Sequence, residues 1–284
     1  MPETRAVLLG HPVHHSRSPE LFAALGQAGG PVIDFGLLDV APADLDRALA
    51  ALRAGRWSCA GVTLPHKEAA AARCEALHPS AVAAGAVNAI LRRLDGSLLG
   101  ANTDGAGFVR ALAASFPRLD LSKTTAVLLG AGGAARGVGA ALRDRGARVE
   151  LVSRDPSART HLHADAVLAW SDADLVARVQ AADLVVQATP LGMSPDISAC
   201  VPLPAQALHP RQVVADLVYT PWETRFLRMA RGRGCRAMNG WPMLVHQAAV
   251  AVDLWLGEGQ GDGLPEAVRG VEGRDPLQGS RAAA

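Results

Sequence analysis

Long apolar runs are missing from this chain of 284 residues. The longest uncharged stretches, 76–91 and 237–252, are interrupted by His, Pro, Asn or Gln. Neither reaches the ~18–20 clean apolar residues of a membrane span. The N-terminus carries Glu3 and a single short aliphatic run ahead of His11-Pro12, too little for the core of a secretory signal. An excess of one charge is also missing, with 28 basic against 27 acidic residues and a net charge of +1. A whole-protein field for nucleic acid or membrane is thereby excluded. The four cysteines, Cys59, Cys74, Cys200 and Cys235, show no CxxC or Cys/His spacing and read as reduced and packed. His14-His15 and the pair His161 and His163 have no Cys, Asp or Glu partners at ligand spacing, so no metal is expected. What remains is a chain 49% hydrophobic and 19% charged, enough to bury cores in about two domains. A cytoplasmic protein, monomer or homodimer, is expected.

Lysine is the scarcest ordinary charge. Only Lys67 and Lys123 are Lys among the 28 basic residues. Arg does not give up its proton inside a protein, whereas Lys can be tuned to exchange one. There is also a single tyrosine, Tyr219.

Strand-like and helix-like segments alternate. Residues 6–10 and 32–40 and the segment SCAGVTL (58–64) read as strands. Ser18-Pro19-Glu20 reads as a helix start, with Ser18 at the cap and Pro19 at the first helical position. Residues 42–54 read as an amphipathic helix closed by Gly55, and the Ala-rich segment 67–77 as another. Asp95-Gly96 between two apolar runs marks a hairpin, so the first sheet is expected to be mixed. A helix from about 105 to 115 leads into a second pattern over 125–153, strand, glycine turn, helix, strand. Further strands are expected at 183–188 and 213–218, and helices at 222–231 and 241–256. The expected class is α/β: an N-terminal α/β domain with a mixed sheet, the substrate domain in the resemblance described below, then a Rossmann-type doubly wound parallel sheet. Residues 1–104 form the first domain, with helix 241–256 packing back on it. Residues 105–240 form the second, and 257–284 a tail with a short helix at most.

The glycine turn fits G-x-G-x-x-G/A at Gly130, Gly132 and Ala135, directly between a strand and a helix. Gly130 permits the tight turn, Gly132 lets backbone approach a pyrophosphate, and Ala135 lets helix and strand pack closely. The helix start offers N–H groups to phosphate. At the end of the next strand, Ser153 and Arg154 favour NADP, because Arg pairs with a 2′-phosphate. Asp155 beside them keeps NAD open, since a carboxylate repels that phosphate.

Taken together, HSRSP (15–19), VTLPHKE (62–68), AGAVN (84–88), NTDG (102–105), GAGGAAR (130–136), ATPLGM (188–193), DLVY (216–219) and MLVHQ (243–247) make the chain resemble the shikimate dehydrogenase family from residue 6 to about 256. The resemblance implies a two-domain enzyme that reversibly reduces 3-dehydroshikimate to shikimate with NADPH. It implies that Ser16 and Ser18 bind the substrate carboxylate. Thr63, Asn88, Tyr219 and Gln247 are implied to hold the substrate, and Lys67 and Asp104 to be the catalytic pair that also touches it. Gly130, Ala131, Gly132, Gly133, Ala134, Ser153, Arg154, Thr189, Met193, Leu217 and Gly240 fall at cofactor positions. Arg17, between the two serines, is expected to add a steering field. The chain departs from the family at Gly61, where Asn is frequent, at Trp241-Pro242, and at Asp155. Two alternatives stay open: a quinate/shikimate dehydrogenase using NAD, and a nucleotide-sensing module without activity.

Overall fold

The computed structural model describes residues 4–157 and 164–269. Among them the chain divides into two compact units. One runs through Phe108 and includes Leu244–Arg269, and the other is Val109–Met243.

The first unit is built on β1 (Thr4–Gly10), β2 (Ile33–Asp39), β3 (Cys59–Val62), β4 (Ala76–Leu77), β5 (Ala89–Arg92) and β6 (Leu98–Ala101). They form one sheet in the order β2-β1-β3-β5-β6-β4. β1 is parallel to β2 and β3, while β5 runs antiparallel to β3 and β6. The Asp95-Gly96 turn drives that reversal. Gly96 sits at φ +86°, where only glycine is unstrained, and Asp95 accepts hydrogen bonds from the Ser97 N–H and hydroxyl.

Helices α1 (Ser18–Gln27), α2 (Leu45–Arg53), α3 (Lys67–Ala71) and α4 (Pro79–Ala84) link these strands. α5 (Asp104–Ser115) follows, and its first turns still belong to this unit. On one sheet face Val7, Leu9, Ala60 and Val62 pack with Leu45, Leu49 and Leu52 of α2. Leu49 and Leu52 are fully buried, and truncating either to Ala removes roughly 2–5 kcal/mol. The return helix α9 (Trp241–Leu256) brings Trp255 to Phe22 and Phe35, with ring centroids 5.9 and 6.3 Å away. Short α10 (Leu264–Ala267) packs on α1. The expected tail beyond it, with His161 and His163, lies outside the described residues.

Several expectations change. The Ala-rich helix over 67–77 stops at Ala71, because Ala76 and Leu77 pair with β6. Pairing of two apolar residues at the sheet's edge overrides alanine's helix preference. Residues 42–54 split into a 3-10 turn (Pro42–Asp44) and α2. Ser18 is the first helical residue rather than the cap. Arg17 holds the cap position and makes no side-chain capping bond.

The second unit is a parallel sheet of β7 (Thr125–Leu129), β8 (Arg148–Ser153), β9 (Ala166–Ala169), β10 (Leu184–Gln187), β11 (Val213–Asp216) and β12 (Arg236–Met238). Its order, β12-β11-β10-β7-β8-β9, reverses between β7 and β10. This is the doubly wound order whose switch point takes ligands at the strands' C-terminal ends. α6 (Gly133–Asp144), α7 (Leu175–Ala181) and α8 (Arg225–Gly232) are the linking helices. α8 starts later than 222 because the Thr224 hydroxyl caps it, accepting the Leu227 N–H at 3.2 Å. β9, α7 and β12 are short and carried no separate sequence signal.

All four cysteines are free. Burial pushes the Cys59 thiol up to about 12 and the Cys74 thiol up to about 11, so neither is a poised nucleophile. Among the described residues no cluster of three or more His, Cys, Asp or Glu could hold a metal ion. No helix there is long and apolar enough to cross a membrane.

Candidate active site and dinucleotide turn

Strands β1 and β3 end side by side, and the loops leaving them are tied together. The His11 N–H donates to the Leu64 carbonyl at 2.9 Å, and the Thr63 N–H to the Leu9 carbonyl at 2.9 Å. His66 is buried, and its Nε2 lies 2.6 Å from the Val40 carbonyl, a contact that ties its ring into the core beneath the loop. Lys67 follows immediately as the first residue of α3, and its carbonyl accepts the Val87 N–H at 2.8 Å. That bond brings the segment before β5, with Asn88, against the start of α3.

The Lys67 ammonium donates to Asp104 Oδ2 at 2.5 Å. The two side chains are only 14% and 6% exposed, so the amine is turned away from bulk water. Asn88 Nδ2 donates to the other carboxylate oxygen, Oδ1, at 2.8 Å. Asp104 opens the twelve-residue α5, where the positive end of the helix favours a carboxylate. With both its oxygens engaged, the Asp104 carboxylate has a single orientation. Asn88 Oδ1 accepts the Thr103 N–H at 2.7 Å, and Gln247 Oε1 on α9 lies 3.2 Å from Asn88 Nδ2 and 3.1 Å from Thr103 Oγ1. An ammonium carries three donors. One is spent on Asp104, which leaves donors for a substrate oxygen.

Ser16 and Ser18 form a separate pair. The Ser16 hydroxyl donates to Ser18 Oγ at 3.2 Å and accepts the Ser18 N–H at 3.3 Å. The steering field expected of Arg17 is not what its placement provides. Its side chain is 6% exposed, and its guanidinium donates to Glu20 Oε2 at 3.0 and 2.7 Å. Gly61 lies on the opposite strand face from Ala60 and Val62, and a Cβ there would meet Leu8 Cδ1 at 2.9 Å.

In the second unit, Gly130 adopts φ +127°, and a Cβ there would lie 3.1 Å from the Ala188 carbonyl oxygen and from Thr189 Cγ2. Any side chain there is strained and crowded. Gly132 caps α6, and a Cβ on it would meet nothing within 4 Å. Gly133 and Ala134 follow as the first helical residues, Ala131 is buried behind the turn, and the first turn of α6 holds no acidic residue. An open glycine cap on a twelve-residue helix, with no acidic residue in its first turn, fits a pyrophosphate. Ser153 is buried at the end of β8, and its hydroxyl accepts the Asp155 N–H at 3.1 Å. Arg154 is exposed, and the Asp155 carboxylate accepts the Ser157 hydroxyl at 2.6 Å.

Across the switch point, Thr189 donates its N–H and hydroxyl to Gln187 Oε1 at 2.5 and 2.7 Å. Met193 is half-buried in the same loop. Leu217 leaves β11 with its N–H on the Gln187 carbonyl, and Gly240 packs against the Leu217 and Val218 backbone. Tyr219, expected to touch substrate, is half-buried on this loop of the second unit. Trp241 is buried with its ring tilted against Trp222, centroids 6.2 Å apart, while Asn239 Oδ1 accepts the Trp241 backbone N–H at 3.2 Å.

Thr103, Gln187 and Asp216 belong to these networks without having been singled out in the sequence. Thr103 sits inside NTDG and Asp216 inside DLVY, so the motifs themselves were the available signal. Gln187 had none.

A Rossmann sheet with an open glycine turn, together with an α/β unit that buries a lysine–aspartate pair, defines a nicotinamide-dependent dehydrogenase. Residues 8–90 match the shikimate dehydrogenase substrate binding domain. The chain is 45% identical over 260 residues to the NADP(+) shikimate dehydrogenase of Moorella thermoacetica, covering 88% of this chain and 87% of that one. It therefore belongs to the shikimate dehydrogenase family. The shikimate 5-dehydrogenase of Thermus thermophilus, solved in complex with NADP(H) and shikimate, superposes with a TM-score of 0.80 at 38% identity, over 94% of this chain and 98% of that one. The quinate dehydrogenase of Corynebacterium glutamicum, solved with NAD, gives a TM-score of 0.79 at 30% identity, over 94% and 99%.

Proposed function

We propose that this protein is an NADP-dependent shikimate dehydrogenase. It reduces 3-dehydroshikimate reversibly to shikimate in the cytoplasm, on the route to chorismate and the aromatic amino acids. The observation that carries the chemistry is the buried contact of 2.5 Å between the Lys67 ammonium and Asp104.

Ser16 and Ser18 bind the substrate carboxylate with hydroxyls, so no full positive charge has to be buried against it. Thr63, Asn88 and Gln247 hold the ring hydroxyls, and Tyr219 is a further substrate-contacting residue. NADPH supplies the hydride that reduces the carbonyl carbon. The Lys67 ammonium donates a hydrogen bond to the carbonyl oxygen and passes it a proton as the alkoxide forms. Asp104 holds that amine in place and aims it. In the reverse direction the same pair takes the proton back. The turn from Gly130 to Ala134 would hold the cofactor phosphates, and Arg154 would pair with the 2′-phosphate. Mixing pure protein with shikimate and NADP, and following the absorbance of reduced nicotinamide, tests the reading. No increase over a protein-free control would sink it.

Asp155 supports one second reading, use of NAD with shikimate or quinate, because a carboxylate at this place suits a ribose hydroxyl. Turnover with both acids and both cofactors separates the two.

A further inference from the structure

Two buried polar side chains lie outside the roles given above. Gln187 ends β10 and Asp216 ends β11, and both are fully buried. The two residues are opposite each other in the parallel register, and Gln187 Nε2 donates to Asp216 Oδ1 at 3.2 Å.

Each side chain also holds a loop. Gln187 Oε1 takes both donors of Thr189, and its Nε2 reaches the Leu191 carbonyl at 3.0 Å. Asp216 Oδ1 accepts the Val218 N–H at 2.9 Å, and Oδ2 accepts the Thr224 hydroxyl at 2.6 Å. Among the described residues no cation lies within ion-pairing distance of Asp216. A carboxylate with no counter-charge is expensive to bury. Packing alone would be better served by an apolar residue. What a carboxylate offers here is acceptor capacity on both oxygens at once, for donors from the neighbouring strand, the loop after β11 and the start of α8.

The loops so joined carry Thr189 and Met193 on one side and Leu217 and Tyr219 on the other. We infer that Gln187 and Asp216 are positioning residues for hydride transfer, a cross-strand tie that sets the two loops against the nicotinamide ring. The inference rests on the reading that NADPH binds at this edge of the second sheet.

The test compares Asp216→Ala, Asp216→Asn and Gln187→Leu with the unaltered protein, using NADPH and its deuterated form with 3-dehydroshikimate. The affinity for NADPH is set mainly by the turn at Gly130–Ala134 and by Arg154. Its Kd, read by nicotinamide fluorescence, is expected to stay within about threefold in every variant. In Asp216→Ala and Gln187→Leu, kcat is expected to fall by about tenfold or more, and the deuterium isotope effect on kcat to rise as hydride transfer becomes limiting. Asp216→Asn keeps one acceptor oxygen and the shape, so it should recover most of the lost kcat.

A kcat that falls only in proportion to the folded fraction, with the isotope effect unchanged, overturns the inference. So does an unchanged kcat in Gln187→Leu, which carries the test alone if Asp216→Ala does not fold. An unaltered protein that binds NADPH yet leaves 3-dehydroshikimate untouched would overturn the functional reading instead.

Discussion

Lys67 and Asp104 stand 37 residues apart in the chain and meet at 2.5 Å, with their side chains 14% and 6% exposed. The contact is possible because Lys67 opens α3 just after β3, and Asp104 opens α5 just after β6. Replacing Lys67 with Ala removes the proposed proton donor and leaves the carboxylate in place. Turnover is expected to fall roughly 10²–10⁴-fold, with the Kd for NADPH nearly unchanged. Lys67→Arg keeps the charge but does not exchange the proton, so it should be closer to Ala than to the unaltered enzyme. Steady-state kinetics with fluorescence titration of NADPH decide the matter. An Arg variant of near-normal turnover would move the proton transfer elsewhere.

Gly107 tests how α5 and α9 share the site. A Cβ there would sit 2.5 Å from the backbone N and Cα of Gln247, a separation backbone does not tolerate. Gly107→Ala must push α9 away from α5 and carry Gln247 off Asn88 and Thr103. Overpacking of this kind destabilises by about 1–3 kcal/mol. The expected kinetic effect is a raised KM for shikimate with little change in KM for NADP. A lowered Tm without the selective KM change would separate Gln247 from substrate binding.

Arg154 tests the cofactor's end. It is exposed at the end of β8, and its neighbour Asp155 is engaged by Ser157. Arg154→Ala should raise KM for NADP by about tenfold, the loss of one charge-assisted contact, while KM for NAD moves little. Equal effects on both cofactors would place Arg154 off the 2′-phosphate.

The sequence carried the parts whose physics is local. The glycine turn, the Asp95-Gly96 hairpin, the long helix from Trp241 and the alternation of strand and helix all write their geometry into neighbouring residues. Residues 67–77 misled because alanine prefers helix whatever the sheet nearby demands, and Ala76-Leu77 answer to β6 instead. Arg17 looked like a field source because its partner Glu20 stands one turn further on, a pairing set by the loop's approach to α1. Gln187 and Asp216 were invisible for a different reason. Their partnership exists only once β10 and β11 lie side by side in register, and a lone Gln at a strand's end has no spacing to mark it.

Asp216 also has a consequence for stability. Burial pushes its carboxyl from the ordinary 3.8 up to about 7, against the lowering influence of the Thr224 hydroxyl and the Val218 N–H. The folded protein therefore binds this proton more tightly than the unfolded chain does. Between about pH 4 and 7 the native state holds more of it, so this group's contribution to stability falls as pH rises through that window and levels off above it. Asp216→Asn has no proton to lose. The difference in Tm between the Asn variant and the unaltered protein should shift toward the variant as pH rises from 4 to 7, then stay constant. Subtracting the two melting profiles cancels every other titrating group the proteins share. A difference independent of pH would mean that Asp216 ionises in the fold as readily as it does in water, with its desolvation fully offset by the three donors around it.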